Sequence, residues 1–383
     1  MSVTTPRGFR AAGVTAGLKA SGRPDVALVV NDGPDHHAAA VFTSNRVEAA
    51  PVTWSRTVVA DGRADAVVLN SGGANACTGA PGFQDTHRTA EHVGGALDLA
   101  AGDVVVCSTG LIGERLPMDL LLPGVDAAVA ALAPDGGAAA AEAIMTTDTV
   151  AKTAVAKREG WSVGGMAKGA GMLAPALATM LVVVTTDAVV DPTDLDGVLR
   201  AATAETFDRV DSDGCMSTND TVVLLASGAS GVAADADALT AAVTDVCASL
   251  ARQLVADAEG AHHDIAVQVR SAASVDDALE VARSVARNNL FKCAVFGNDP
   301  NWGRVLAAVG TTAAAFDPAS LDVSMNGVLV CRSGGVGEDR SLVDLSSREV
   351  HVVVDLHAGD AVATVWTNDL THDYVHENSA YST

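Results

Sequence analysis

A threonine directly behind a glycine-rich loop is a candidate for covalent chemistry. The stretch KGAGMLAPALATML (residues 168–181) carries Gly169, Gly171 and Pro175 before Thr179, and a strongly apolar run follows. A β-branched hydroxyl residue also suits the first position of a buried strand. The pattern therefore leaves two interpretations of Thr179, a nucleophile or an ordinary strand residue.

Other short motifs fit their patterns poorly. Gly169, Gly171 and Ala174 match the spacing of a dinucleotide-binding turn, but Pro175 and a β-branched run follow, where a helix N-terminus must hold the pyrophosphate. Walker, G-x-S-x-G, H-E-x-x-H and S-x-x-K signatures are absent from the sequence. The stretch DSDGCMSTND (211–220) begins like a calcium loop, but its glycine comes too early and no glutamate follows at the twelfth position. A tight turn is the better interpretation.

Histidines and cysteines do not form a recognisable metal pattern. DHH (35–37) and HHD (262–264) hold adjacent imidazoles, which diverge on a strand or a helix, and no separated pair has a zinc spacing. We therefore predict solvated surface histidines. The cysteines lie far apart without a CxxC pair, which favours reduced, mostly buried thiols. They are Cys77, Cys107, Cys215, Cys247, Cys293 and Cys331.

Length and charge restrict the class of protein. A chain of 383 residues with 49% hydrophobic residues predicts two lobes. The 24 basic and 47 acidic residues give a net charge of −23, and only 3% of residues are aromatic, so nucleic acid and anionic membranes are not expected partners. The first twenty residues lack an apolar signal core, and no uninterrupted apolar stretch is long enough to span a bilayer. We expect a cytoplasmic protein.

Buried strands and amphipathic helices alternate along the chain. One helix is predicted to start at Asp237, a second at Ser274 with Asp277 completing a capping box, and a third within 191–207. The class is therefore α/β or α+β. Short apolar runs predict strands at 26–30, 66–69, 104–107, 180–184, 221–226 and 265–269.

Seven segments in order resemble one family over nearly the full length. Besides the loop before Thr179, these are LNSGGANACTG (69–79), CSTGLIGERLPMD (107–119), IMTTDT (144–149), DSDGCMSTNDT (211–221), FGNDPNWGR (296–304) and HENSAYST (376–383). Together they resemble the ornithine acetyltransferases, the glutamate N-acetyltransferase family of arginine biosynthesis. Gly73 departs from the family, which usually has asparagine there, and we expect this to alter loop packing more than chemistry.

The resemblance implies that Thr179 is a self-generated N-terminal nucleophile. Cleavage between Ala178 and Thr179 would give two chains, 1–178 and 179–383. A free α-amine on threonine can then act as the base for its hydroxyl. The resemblance also implies an oxyanion hole formed by Thr109 and Gly110.

The same resemblance implies the substrates and the assembly. It places Thr147, Lys168, Thr179, Glu259, Asn378 and Thr383 around the substrate. An acetyl group would pass from N-acetylornithine to glutamate through acetyl-threonine, without organic cofactor or metal, and some family members also accept acetyl-coenzyme A. The implied fold is a layered αββα-type sandwich with a smaller second lobe, assembled as a heterotetramer of two α and two β chains.

Two alternatives remain open from the sequence. Related self-processing aminopeptidases or amidohydrolases use the same kind of terminal nucleophile with water as the acceptor. A non-catalytic acidic oligomer, in which Thr179 is only a strand residue, is the second alternative. The state of the 178–179 bond and the choice of acceptor distinguish the three.

Overall fold

The computed structural model describes residues 2–174 and 180–380. These residues form two compact units. The first comprises residues 2–174, 180–208 and 215–257, and the second comprises residues 209–214 and 258–380. The second unit is the smaller, as the family resemblance predicted.

Two sheets form the centre of the first unit. One has the strand order β1-β2-β4-β5 and the other the order β3-β9-β8-β7-β6. The strands are β1 (Phe9–Val14), β2 (Val26–Asn31), β3 (His37–Phe42), β4 (Ala66–Asn70), β5 (Val104–Ser108), β6 (Lys152–Lys157), β7 (Ser162–Lys168), β8 (Leu181–Thr186) and β9 (Thr221–Ala226).

Alternating side chains let the first sheet serve two cores. Ala27 and Val29 of β2 pack with Val183 of β8 and Val223 of β9, so the two sheets lie face to face. The intervening Leu28 points to the opposite core, which helices cover. A strand that is buried on both faces has no polar alternation, which explains the unbroken apolar runs in the sequence.

Helices cover both outer faces of the paired sheets. The helices α2 and α3 complete the core behind the first sheet, whereas α5 and α6 pack on the second sheet. The layers therefore follow the order αββα, and the predicted sandwich is confirmed. The helices are α1 (Ala50–Val58), α2 (Gly79–Leu97), α3 (Met118–Ala130), α4 (Gly137–Ala143), α5 (Leu195–Glu205) and α6 (Ala236–Ala256).

The second unit is a sheet of order β13-β12-β11-β14-β10-β15. Val267 of β10, Val352 of β14 and Val285 of α7 belong to its apolar core. Its elements are β10 (Asp264–Ala272), α7 (Val275–Ala286), α8 (Asn289–Phe296), α9 (Trp302–Val309), β11 (Asp322–Met325), β12 (Val328–Arg332), β13 (Gly335–Val336), β14 (Glu349–Asp355), β15 (Ala361–Asn368) and α10 (His372–Ala380).

The structure confirms the predicted N-cap of α7 and gives α6 an earlier N-cap than predicted. Ser274 caps α7 by accepting a hydrogen bond from the Asp277 amide at 3.1 Å. The helix expected to start at Asp237 begins one residue earlier, because Asp235 is the N-cap and accepts from Ala238 N at 2.7 Å. Among the described residues, α6 alone is long and apolar enough to pass for a membrane span. Its apolar stripe instead packs on β6 and β7, as in an ordinary core helix.

Two expectations about polar side chains were wrong. His263 is not solvated: it is 7% exposed, and its ring nitrogens lie 2.8 Å from Asp369 Oδ2 and 3.0 Å from the Leu345 carbonyl. The thiols are all free, but they are not mostly buried, since half of them are exposed. The exposed ones are Cys77, Cys215 and Cys293.

Candidate active site

The site begins where two parallel strands of the first sheet end. Asn70 and Ser108 are the last residues of β4 and β5 and lie opposite each other in the ladder. Asn70 Nδ2 donates to Ser108 Oγ at 2.7 Å, and the Asn70 carbonyl accepts from Thr109 N at 3.0 Å. Thr109 and Gly110 are therefore anchored just beyond the carboxyl end of β5, where a ligand-binding loop can be held by a rigid sheet.

Gly110 occupies a position that a side chain cannot share. Its φ is +132°, and an added Cβ would lie 2.8 Å from the Gly73 nitrogen. Gly73 pairs with Thr109 in an isolated bridge. A Cβ on Gly73 would contact only Leu116 Cδ2, at 3.2 Å, which is the flexible end of a side chain. Gly73 therefore leaves more room for a side chain than Gly110 does.

Lys168 approaches this loop from the second sheet. It is the last residue of β7 and is 2% exposed. Its Nζ donates to Thr109 Oγ1 at 3.3 Å. A buried ammonium is costly unless it meets acceptors and opposite charge. Lys168 interacts electrostatically with two buried carboxyl groups, those of Asp148 and Asp220.

Asp148 is surrounded by donors. Its Oδ1 accepts from Lys152 Nζ at 2.7 Å and from Gly169 N at 2.6 Å, and its Oδ2 accepts from Thr146 N at 2.9 Å. Burial opposes ionisation, but the charges of Lys168 and Lys152 and these hydrogen bonds lower the pKa of Asp148 to about 2. The carboxylate therefore links the turn that contains Thr147 to Gly169, the residue after Lys168.

Asp220 is equally buried but has far fewer donors. Its Oδ1 accepts from Met180 N at 2.9 Å, and Thr221 N donates to the Met180 carbonyl at 3.1 Å. Burial raises the pKa of Asp220 well above its ordinary value, and the Met180 amide, Lys168 and the Ser217 hydroxyl oppose that rise only in part. Burial with few donors therefore favours the uncharged form of Asp220, whose carboxyl group fixes the backbone of Met180.

Asn219 links this segment to the loop that holds Thr109. Its Nδ2 donates to the Ser108 carbonyl at 2.8 Å and to the Ala74 carbonyl at 2.6 Å. The side chain is buried, so these two bonds satisfy both of its donors. Neighbouring residues of one segment thus bind the end of β5 and the start of β8.

In the second unit, Glu259 lines a small polar pocket of about 80 Å³. Its Oε2 accepts from Asn378 Nδ2 at 2.9 Å. Lys292 also lines this pocket, donates to the Ser212 carbonyl and is 6% exposed. Burial lowers the pKa of Lys292, although the charges of nearby aspartates oppose that change. Within the described residues, no group of three or more His, Cys, Asp or Glu side chains is arranged to hold a metal ion.

Comparison with known proteins decides the family. A family model described as ArgJ family matches residues 10–383. The chain belongs to the ArgJ family. The arginine biosynthesis bifunctional protein ArgJ of Streptomyces coelicolor is 67% identical over 382 residues, and its counterpart from Thermobifida fusca is 66% identical over 383 residues. Both alignments cover the whole of each chain.

Solved ArgJ-family structures are also similar to this chain. Ornithine acetyltransferase from Mycobacterium tuberculosis, complexed with ornithine, is 57% identical with a TM-score of 0.45, and covers 47% of this chain and 96% of its own. The bifunctional protein ArgJ from Bacillus halodurans is 34% identical with a TM-score of 0.49, and covers 51% of this chain and 97% of its own. The family match confirms the prediction of an arginine-biosynthesis enzyme of the glutamate N-acetyltransferase type.

The predicted site residues of this ArgJ-family chain fall into three groups. Thr109, Gly110 and Lys168 converge in the first unit, where Thr147 lies in the turn held by Asp148. Glu259 and Asn378 bond each other in the second unit. The remaining predicted residues lie outside the described part of the chain. They are Ala178, Thr179 and Thr383.

Sequence reasoning missed the two buried carboxyl groups. Asp148 and Asp220 stand in the segments IMTTDT and DSDGCMSTNDT, which carry the resemblance, but their spacing matches no general motif. An aspartate beside threonine and asparagine is most often a turn residue. Only burial distinguishes these two from the solvated acidic residues of a strongly acidic chain.

Proposed function

We propose that this enzyme cleaves itself before Thr179 and transfers acetyl groups from N2-acetylornithine to glutamate through acetyl-Thr179. The observation that supports this most directly is the buried contact between Lys168 and Thr109 beside Gly110. It puts a fixed cation next to a loop that can bind an oxyanion. Membership of the ArgJ family supports the same substrates.

Self-cleavage would begin when the Thr179 hydroxyl oxygen bonds to the carbonyl carbon of Ala178. The Ala178–Thr179 C–N bond breaks, the hydroxyl proton passes to the nitrogen, and an ester remains. Water then hydrolyses the ester, which restores the hydroxyl and leaves a carboxylate on Ala178. Gly169 has φ +155° and Gly171 precedes the same junction, so the loop tolerates backbone conformations that other residues resist.

Cleavage would leave the products 1–178 and 179–383 bound to each other. In the second sheet, β7 and β8 are antiparallel neighbours, with Lys168 paired to Leu181. The shared ladder and core would hold the two chains without the peptide bond. The mature enzyme is therefore expected to be an α and β pair, assembled as a heterotetramer of two such pairs.

The transfer would use the new α-amine as its base. The Thr179 oxygen attacks the acetyl carbon of acetylornithine, the C–N bond of the substrate breaks, and the hydroxyl proton is delivered through the amine to the departing ornithine. Glutamate reverses these steps and leaves as N-acetylglutamate. An unperturbed α-amine has a pKa of roughly 7.7 to 8.0, and the Lys168 cation disfavours a second positive charge nearby.

The remaining residues would bind the ends of the substrates. Thr109 and Gly110 would donate to the oxyanion of each tetrahedral intermediate. Lys168 suits a carboxylate and Glu259 suits the ammonium group of ornithine, with Thr147, Asn378 and Thr383 adding hydrogen bonds. The reaction needs no organic cofactor or metal, acetyl-coenzyme A could serve as a second donor, and a cytoplasmic location fits these metabolites.

Denaturing mass spectrometry tests self-cleavage. The wild-type protein should give two masses that correspond to 1–178 and 179–383. Thr179→Ala should give one intact chain, whereas Thr179→Ser should still be cleaved because serine keeps the hydroxyl. An alanine variant cut at the same bond would contradict the mechanism.

The acceptor is tested by following the acetyl group. Incubation with acetylornithine alone should leave the 179–383 chain one acetyl group heavier, and glutamate should restore its mass with an equal amount of N-acetylglutamate formed. Covalent transfer also requires ping-pong kinetics with parallel double-reciprocal lines. Rapid loss of the acetyl group to water without glutamate would instead favour the amidohydrolase.

The oxyanion loop has its own variant pair. Thr109→Ala removes the hydroxyl that meets Lys168 and should lower turnover by about 10² to 10³. Thr109→Ser keeps that hydroxyl and should retain most of the turnover. Equal turnover in wild type and Thr109→Ala would show that the hydroxyl takes no part.

A further inference from the structure

Asp220 has features that the proposed reaction does not yet use. Its carboxyl group is fully buried, and one oxygen accepts from the Met180 amide at 2.9 Å. Within residues 2–174 and 180–380, the second oxygen has no hydrogen-bond partner of acceptable geometry. A buried polar atom of this kind calls for an explanation.

The bond to Met180 puts Asp220 beside the reacting residue. Met180 follows Thr179 in the chain, so the two backbone nitrogens are separated by three covalent bonds and lie within about 4 Å in any conformation. With the 2.9 Å bond from Met180 N to Oδ1, the amine of Thr179 lies within about 7 Å of Asp220. A charge at that distance would act strongly on the amine.

We propose that Asp220 is a positioning residue that fixes Met180, and with it Thr179, as an uncharged carboxyl group. This inference rests on the proposed function of Thr179. One oxygen accepts the Met180 amide and the other carries the proton. The group therefore orients the reacting residue without placing a negative charge beside its amine.

A neutral partner suits an amine that must act as a base. An ionised carboxylate within about 7 Å would favour the ammonium form and raise the pKa of the amine. An ammonium group cannot accept the hydroxyl proton of Thr179. A neutral carboxyl group keeps the backbone bond and avoids this effect.

The charged groups around Asp220 agree with this role. Lys168 on β7 is the cation that acts on Asp220, and it is shared with Asp148, which is ionised and bonded to Lys152. Lys19, which also interacts electrostatically with Lys168, donates to the carbonyls of Pro24 and Met145. The ionised partner of this cluster is thus Asp148, and Ser217 contributes only a hydroxyl to Asp220.

Two substitutions separate positioning from charge. Asp220→Leu removes the acceptor of Met180 N, and the loss of a buried hydrogen bond should slow self-cleavage about tenfold or more. Asp220→Asn keeps an acceptor oxygen and replaces the O–H by N–H donors, so it should recover most of the rate that leucine loses. The rate of appearance of the 179–383 chain after synthesis is the measurement.

A matched control lies at the other end of β8. Asp187 is also buried, and its carboxylate accepts from Ser162 N at 2.7 Å and Arg7 N at 3.0 Å. Asp187→Leu should destabilise the fold without slowing cleavage of the folded protein. Equal slowing by Asp187→Leu and Asp220→Leu would reduce Asp220 to a structural residue and overturn the proposal.

The pH profile of the cleaved enzyme tests the charge directly. Because Asp220→Asn removes no charge, the acidic limb of kcat/KM should shift by less than about half a pH unit. Removal of an ionised carboxylate at about 7 Å would lower that limb by more than about one pH unit. Such a shift, or an asparagine variant as slow as leucine, would overturn the proposal. If the wild-type chain is neither cleaved nor acetylated, the proposed function itself fails.

Discussion

Two buried aspartates of the first unit have pKa values that are shifted in opposite directions. Asp148 has two backbone amides and a lysine within hydrogen-bond distance, and its pKa falls to about 2. Asp220 accepts a hydrogen bond from one backbone amide, that of Met180, and its pKa rises well above the ordinary value. Lys168 acts on both groups. Burial therefore does not decide ionisation by itself; the neighbouring lysine charges and the hydrogen bonds to the carboxylate decide it together.

The comparison assigns different tasks to the two residues. Asp148 is the anion that compensates the buried lysines and holds the turn of Thr147. Asp220, whose uncharged form burial favours, fixes the residue before β8. Each of the following stability tests is made in a Thr179→Ala background, so that cleavage does not alter the chain.

The largest effect is expected from Asp148→Leu. The substitution leaves Lys152 with Asp257 as its acidic partner, at 2.5 Å, and removes the acceptor of two amides. Breaking a buried ion pair should cost about 3–5 kcal/mol of unfolding free energy, measured by urea unfolding at neutral pH. A loss below about 1 kcal/mol would show that the stability of the fold does not depend on the Asp148 carboxylate.

The next largest effect is the loss of the stability contributed by Asp148 at acidic pH. Its folded pKa of about 2 lies below an unfolded value near 3.9, so its contribution is present above pH 4 and is lost as the pH falls toward 2. That contribution is about 3 kcal/mol, and Asp148→Asn should lack this part of the pH dependence. Parallel profiles for the two proteins would contradict an ionised Asp148.

Asp220 should behave with the opposite sign. Because its folded pKa is raised, its stabilising contribution is complete below the unfolded pKa and is lost as the pH rises through the folded pKa. Asp220→Asn should therefore gain stability relative to its parent as the pH rises above about 4. Asp220→Leu should cost about 1–3 kcal/mol at pH 4 through the unpaired Met180 amide. A parent that gains stability over the asparagine variant with rising pH would mean that Asp220 is ionised.

The smallest effect concerns the lysine that both groups share. Lys168→Met removes the first of the favourable charges that lower the pKa of Asp148, so that pKa should rise by about one pH unit. Carboxyl NMR titration of the folded variant measures the shift. Lys152→Met is the comparison, since it removes a direct hydrogen bond at 2.7 Å as well as a charge and should raise the pKa at least as much. An unchanged pKa of Asp148 in the Lys168→Met variant would show that Lys168 does not stabilise the Asp148 carboxylate.

Local patterns predicted the strands β2, β4, β5, β8, β9 and β10 and the helices α5, α6 and α7, and they missed the other elements. The apolar runs at 26–30 and 221–226 lie within β2 and β9, and the Ser274 cap lies where its hydroxyl and Asp277 indicated. The predicted start of α6 lies one residue too late because Asp235 and Asp237 are both acceptable N-caps. The backbone at Asp235 has the extended conformation of a cap, whereas Asp237 lies within the helix.

The sequence by itself determined six of the described strands, three of the helices, the family and the residue types that the chemistry requires. The tertiary structure decided which acidic residues are buried, that Lys168 reaches Thr109, and that Gly110 lies against Gly73. The reason is physical: strand and helix preferences act over a few residues, whereas the charge of Asp148 and Asp220 depends on donors from Lys152, Gly169 and Met180. Such donors meet their acceptors only when separate strands pack into one unit.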